Sequence, residues 1–216
     1  VDSIASTIAA HGLAIDRLVH PVLPVRRDGD GRLSAIPTGD AAGEKRDSMV
    51  YLVTPRADAR QRRALEQALA ATLADVRAAV ADWPAMQAAM AADADSLPEG
   101  EGAALLRWFM DGSMTVLAHE QIALDGSRSG RLGLSRASDA VLLSEESVQR
   151  AFAYFAGGGD APLLLKSSRN STVHRAVQLD IIVAPLRENG TSAALSVTGG
   201  LWTSALAISR RRFMPP

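Results

Sequence analysis

The chain has no cysteine, which rules out disulfides and thiolate chemistry. Aromatic residues are scarce at 4%, so a core must be assembled from Ala, Leu, Val and Ile. An excess of either charge is also missing: 23 Lys and Arg face 24 Asp and Glu, for a formal net charge of −1. Nothing basic enough to hold a nucleic-acid backbone is present, and three Trp and two Tyr form no stacking series. Nucleic acid is therefore not an expected partner. No apolar run approaches the ~18 residues that a bilayer span needs, and no signal pattern precedes the first helix. These absences predict a cytoplasmic protein without membrane attachment. The Val1 start and the "SRRRFMPP" end read as a piece of a longer chain.

What is present supports a folded core. A length of 216 residues, 47% hydrophobic and 22% charged, suits two small domains better than one. Residues 2–11 are helix-like, with Ile4 and Ile8 four apart and Gly12 as a stop. Leu13, Ile15, Val19, Leu23 and Val25 then follow a period of two, interrupted by Arg17. Pro21 and Pro24 place that strand at an edge or a bulge. "DGDG" at 28–31 is a turn, 37–47 a mobile loop and 48–54 a second strand. From Ala59 to Trp83 runs the clearest helix. Its Leu65, Leu69, Leu73, Val76, Val80 and Trp83, spaced 4, 4, 3, 4 and 3, form one apolar stripe. Pro84 is expected to kink it or to start a new segment.

The polar stretch 91–102, carrying Pro98, Gly100 and Gly102, is the predicted linker. It separates a first module at 1–90 from a second at 103–209, with 210–216 as a truncated tail. The second module reads as a short helix (103–111), strands at 114–124 and 131–135, a helix after Ser144, and strands at 163–167, 176–186 and 192–203. In the helix after Ser144, Val148, Phe152 and Phe155 form the buried stripe and two Glu occupy the first turn. Asn189-Gly190 suits a type I′ hairpin. Both modules are α+β with mainly antiparallel sheets.

Motifs for catalysis fail one after another. "HEQIA" at 119–123 starts like the zinc helix but ends in Ala123, and on a strand His119 and Glu120 point to opposite faces, which reads as a half-exposed strand residue. His11, His20, His119 and His174 have no ligand spacing, so no metal is expected. Neither "DGDGRLS" nor "GGGD" opens a helix in the way that a phosphate-binding glycine loop must. No catalytic residue and no cofactor site is predicted within the chain. The triplets at Asn170 and Asn189 match a glycosylation pattern that reads as incidental. Arg210–Arg212 reads as a solvated flank. Asp180 reads as a satisfied polar strand residue.

One passage stands out, "SSRNSTVHRAVQLD" at 167–180, between two strand-like runs. Ser171, Thr172, His174 and Arg175 supply hydroxyls, an imidazole and a guanidinium suited to a carboxylate or phosphate. Three readings follow from that composition: an effector clamp for an anion such as an amino acid, a loop satisfying its own backbone, or a Ser–His nucleophile. The last is disfavoured because an extended segment sends Ser171 and His174 to opposite sides, and no acid is placed nearby.

The same passage carries a family resemblance. "RNSTVHRAVQLDIIVAPL" followed by "GLWTSALA" resembles a segment of the large bacterial NAD-dependent glutamate dehydrogenases. "HPVLPVRRDGDGRL" (20–33), "LADVRAAVADWPAM" (73–86) and "LLRWFMDGSMTVLAHEQIAL" (105–124) are similar in the same order. Trp202 stands where that family usually has Phe, and "RDSMVYLVTPR" departs from its acidic-Ser-Trp-Met-His form. The resemblance implies an amino-terminal regulatory region upstream of the catalytic domain. Its first module would be ACT-like, β-α-β-β-α-β with the first strand ahead of Val1, and its second PAS-like or again ACT-like. It further implies a parent that oxidises L-glutamate to 2-oxoglutarate and ammonia with NAD, and a homo-oligomer in which the rest of the parent chain is a partner. A stand-alone sensor of an amino acid or similar anion, and a purely structural oligomerisation scaffold, are the alternatives.

Overall fold

A computed structural model describes residues 1–38, 45–137, 141–188 and 191–203. The chain forms two compact units, Val1–Leu69 and Ala70–Pro216.

In the first unit, helix α1 (Asp2–Ala10) stops where Gly12 adopts a φ of 71°, a conformation glycine takes without steric cost. A single long hairpin follows, in three short ladders. β1 (Arg17–Val19), β2 (Val22–Pro24) and β3 (Arg26–Arg27) lead out, and β4 (Leu33–Ala35), β5 (Arg46–Ser48) and β6 (Tyr51–Val53) return. β3 pairs with β4, β2 with β5 and β1 with β6, all antiparallel. The period-two run from Leu13 to Val25 is thus not one strand. Pro21 and Pro24 divide it, because proline has no amide to give to the ladder. The "DGDG" turn forms as expected: Asp28 Oδ1 accepts the amides of Asp30 at 3.1 Å and Arg32 at 2.9 Å. Most of the predicted mobile loop, 39–44, lies outside the described residues. Asp58 then caps helix α2 (Ala59–Ser96) by accepting the Gln61 amide at 2.8 Å. Helix, two-legged hairpin and helix accord with an ACT-like module.

α2 is longer than its sequence reading. Pro84 lies inside it, and the carbonyl left without a partner, that of Val80, belongs to a residue open to water. The helix continues through 91–96, the first half of the predicted linker. There Asp93 and Ala94 are buried, so the polar letters of that stretch mark a helix face and not a free segment. The compact units divide at Leu69, not within 91–102.

The second unit is a five-stranded antiparallel sheet clad by helices on both faces. α3 (Glu101–Trp108) runs into an irregular turn, Phe109–Ser113, where Gly112 has a φ of 78°. β7 (Met114–Ala123) and β8 (Arg128–Gly133) form a hairpin. A short turn of helix, α4 (Leu134–Ala137), and α5 (Glu145–Ala156) precede β9 (Leu163–Asn170), β10 (Gln178–Glu188) and β11 (Thr191–Trp202). The predicted hairpin residues 189–190 and the tail from 204 lie outside the described residues. The strand order is β8-β7-β11-β10-β9. Counting within this unit, the order is second, first, fifth, fourth, third, with the helices inserted after the second strand. A βαββαβ sheet has four strands, one fewer than this sheet.

Alternation sorts the strand residues to the two faces. Leu179, Ile181, Val183, Leu195 and Val197 meet Val148, Ala151 and Phe155 of α5. On the other side Val116 and Ile182 meet Met86 and Met90 of α2 and Leu106 and Phe109 of the α3 region. β8 begins at Arg128, ahead of its predicted start, and its last residue Gly133 packs against β7 so closely that a Cβ would lie 2.1 Å from the Leu117 carbonyl oxygen.

Candidate functional site

The segment between β9 and β10 brings the four predicted effector residues into one loop, yet sends their donors in different directions. Ser171, buried at 2% exposure, closes a local turn: its Oγ donates to the Val173 carbonyl at 2.7 Å and accepts the Val173 amide at 3.1 Å. Thr172 Oγ1 donates to Asp75 Oδ2 of α2 at 2.6 Å, and Arg169 Nη2 stands 3.9 Å from the same oxygen. Arg175 Nη2 donates to the Trp202 carbonyl at the end of β11, 2.6 Å away. His174 is exposed and has a φ of 70°, a region in which His is enriched among non-glycine residues. Upstream, Ser167 Oγ donates to the Leu142 carbonyl at 2.9 Å and accepts the Arg169 amide. The hydroxyls therefore pin a crossing loop to its neighbours, and the Asp75 carboxylate already holds the place beside Thr172 and Arg169.

Asp180 is satisfied, as expected. Lys166 Nζ lies 2.5 Å from one carboxylate oxygen, and the Trp202 amide donates to the other at 3.3 Å.

The structure shows two buried polar groups that local sequence does not announce. His119 and Glu120 lie on opposite faces of β7, but at 2% and 0% exposure neither is half-exposed, because helices cover both sides of the sheet. His119 Nδ1 pairs with Thr198 Oγ1 at 3.1 Å, and burial pulls its pKa down to about 4. Two residues along β11, Ser196 Oγ donates to Asp93 Oδ2 of α2 at 2.6 Å. Burial drives the Asp93 pKa up to about 6, with the Ser196 bond opposing it. The available signal for Asp93 was its spacing of 3 and 7 from Met90 and Met86, which shares their face. On the opposite face Glu120 is bridged by Arg128 Nη1 at 2.5 Å, with Arg131 Nε 3.9 Å from its second oxygen.

Arg128 links that buried carboxylate to an open cavity. A hollow of about 410 Å³ lies between the β7–β8 turn and the first half of α5. Ile122, Leu124, Val141, Val148 and Phe152 supply its apolar lining, and Asp125, Arg128, Glu145 and Gln149 its polar groups. Glu120 Oε1 and the Leu143 carbonyl, the latter at 3.3 Å, take two of the five N–H groups of the guanidinium. The volume falls within the range of small-molecule sites. A guanidinium already paired with Glu120, two carboxylates and an amide stand around an apolar floor. Among the described residues no three His, Asp or Glu side chains converge as metal ligands, and no helix is long and apolar enough to cross a membrane.

Comparison with known proteins relates this sequence to glutamate dehydrogenases. Residues 1–69 match the family model described as "Glutamate dehydrogenase, ACT1 domain". The chain is 31% identical, over 211 residues and 84% of its length, to the NAD-specific glutamate dehydrogenase of Pseudomonas aeruginosa. It spans 13% of that relative's length. Among solved structures it is aligned with the sensor domain of the zinc-responsive histidine kinase CzcS from Pseudomonas aeruginosa. That match covers 68% of this chain and 99% of the other at 16% identity, with a TM-score of 0.25, too low to indicate a shared fold. The chain thus carries at its amino terminus the ACT1 domain of the glutamate dehydrogenases, within a segment related along most of its length to the NAD-specific enzymes.

Proposed function

We propose that these residues form a regulatory and assembly region of an NAD-dependent glutamate dehydrogenase. In this reading the parent oxidises L-glutamate to 2-oxoglutarate and ammonia, and both the NAD site and the reacting groups lie elsewhere in the polypeptide. The observation that carries it is the ACT1 match at 1–69 in a chain that spans 13% of a related dehydrogenase. The region's own work is to bind a small anionic or zwitterionic effector and to shift the parent between conformations by the difference in affinity between them.

The geometry favours the cavity beside α5 over the loop at 171–175 as the effector site. In the loop, Ser171, Thr172 and Arg175 already have partners. In the cavity, Arg128 is oriented by a buried carboxylate and faces open volume.

Thermal denaturation of the 216-residue chain with amino acids, dicarboxylates and nucleotides tests this. A ligand present at about a hundred times its Kd stabilises by about 2.7 kcal/mol. The shift should vanish in Gln149→Trp, which fills the cavity from an exposed position, and persist in Arg175→Ala. The reverse result would return the site to the loop. No shift with any compound would leave the scaffold reading.

A further inference from the structure

We infer that the cavity beside α5 selects its ligand by positive charge: it takes a small molecule with an apolar body and an ammonium group, and turns away one whose only charge is negative. The inference rests on the cavity reading above and narrows its ligand class.

The cation in the lining is already engaged. Glu120, at 0% exposure, holds Arg128 Nη1 at 2.5 Å, and the Leu143 carbonyl accepts from Nη2 at 3.3 Å. A ligand carboxylate or phosphate brought to that guanidinium would stand beside a buried carboxylate of the same sign, where water screens little. The start of α5 is no better for an anion. Ser144 Oγ accepts the Ser147 amide there, and Glu145 and Glu146 in the first turn already answer the positive end of the helix dipole.

The negative groups are the available ones. Asp125 and Glu145 both line the cavity, and both are exposed. Asp125 accepts hydrogen bonds from Ser127 within its own turn, and among the described residues neither carboxylate forms an ion pair. These two outnumber Arg128 in the lining even before Glu120 is counted, and Arg131, 3.9 Å from Glu120, no more than offsets that buried charge. The remaining lining suits a hydrocarbon. Leu124 is 66% exposed and Val141 43%, and they border the buried Ile122 and Val148. An apolar body covers them while its ammonium group meets the carboxylates in charge-assisted hydrogen bonds.

Thermal denaturation of the 216-residue chain, titrated with butylamine, pentanoate and norvaline, tests this, because the three share a short straight hydrocarbon chain and differ in charge. Butylamine and norvaline should raise the melting temperature, and pentanoate should not. Combining Glu145→Gln with Asp125→Asn should weaken butylamine binding about 10- to 100-fold, the worth of charged hydrogen bonds. Both positions are exposed, so the melting temperature without ligand should stay as in the parent sequence. Stabilisation by pentanoate alone, or butylamine binding that the double substitution leaves unchanged, overturns selection by positive charge; the cavity reading survives that result when Gln149→Trp abolishes the shift. No shift with any of the three, or shifts that persist in Gln149→Trp, overturn the cavity reading and this inference with it.

Discussion

Helices α2 and α5 clad opposite faces of one sheet, and they obey opposite rules. In α5 the apolar stripe of its sequence is the stripe it buries: Val148 and Phe155 are in the core, Phe152 packs at its edge, and Glu145, Glu146 and Arg150 face out. Ser144 caps it by accepting the Ser147 amide at 3.2 Å, the position that its composition points to. In α2 beyond Ala70 the stripe Leu73–Val80–Trp83 faces out, while Thr72, Asp75, Ala79, Met86, Met90 and Asp93 face the sheet. The lesson is about what periodicity measures. It locates an apolar face on a cylinder, but which face the rest of the chain covers is decided by contacts far away in sequence. Here those contacts include apolar ones, Met86 and Met90 against Val116 and Ile182, and polar ones, Asp75 with Thr172 and Asp93 with Ser196.

The contrast can be broken or sharpened by substitution. The largest expected effect is at the core end of α5: Phe155→Ala should lower the unfolding free energy by about 3–5 kcal/mol in urea titration. A loss below about 1 kcal/mol would mean that α5 is not the core helix described here.

Next come the buried titrating groups under α2. Asp93, raised to about 6, contributes stability that is complete below pH 3.8 and lost as pH rises through about 6. His119, lowered to about 4, contributes stability that is complete above pH 6.5 and lost as pH falls through about 4. Each arm amounts to about 3 kcal/mol, so between about pH 4 and 6.5 they oppose each other and the native chain should vary little. Asp93→Asn leaves the histidine arm, and stability should then fall on acidification. His119→Gln leaves the carboxylate arm, and stability should then rise on acidification. Melting curves across that window read both slopes, and slopes of the same sign in the two variants would sink the assignment.

A smaller effect belongs to the loop anchor. Thr172→Val should cost about 1 kcal/mol, the worth of a typical hydrogen bond, and Asp75→Ala about 1–3 kcal/mol because Arg169 also loses its acidic neighbour. Hydrogen exchange at 171–177 should rise in both while the sheet amides remain protected. The smallest effect closes the comparison. Trp83→Ala should change stability by less than about 0.5 kcal/mol, as surface substitutions do. A core-sized loss there would restore the ordinary rule to α2.

The candidate site divides along the same line. The anion-binding chemistry of Ser171, Thr172, His174 and Arg175 was legible from residue type, but hydrogen-bond competition was not. Asp75 reaches Thr172 across 97 positions in sequence, and no local pattern predicts that a carboxylate will already stand there. The cavity was invisible for the same reason, since the β7–β8 turn and α5 meet only when the sheet closes. Glu120 looked like an ordinary strand residue until Arg128, eight positions away across the hairpin, gave it a partner in the interior.

The sequence by itself determined the α+β class, the position of nearly every element after Gly100, the "DGDG" turn and the likeness to NAD-specific glutamate dehydrogenases. All of these depend on short-range propensity, alternation or motif identity, which are encoded within a few residues of each other. Tertiary contacts set the strand order β8-β7-β11-β10-β9, the unbroken course of α2 through Pro84 and 91–96, and the burial of Asp93, His119 and Glu120. Those depend on which strand lies beside which and on what covers each face, and pairings between distant residues leave no trace in local periodicity.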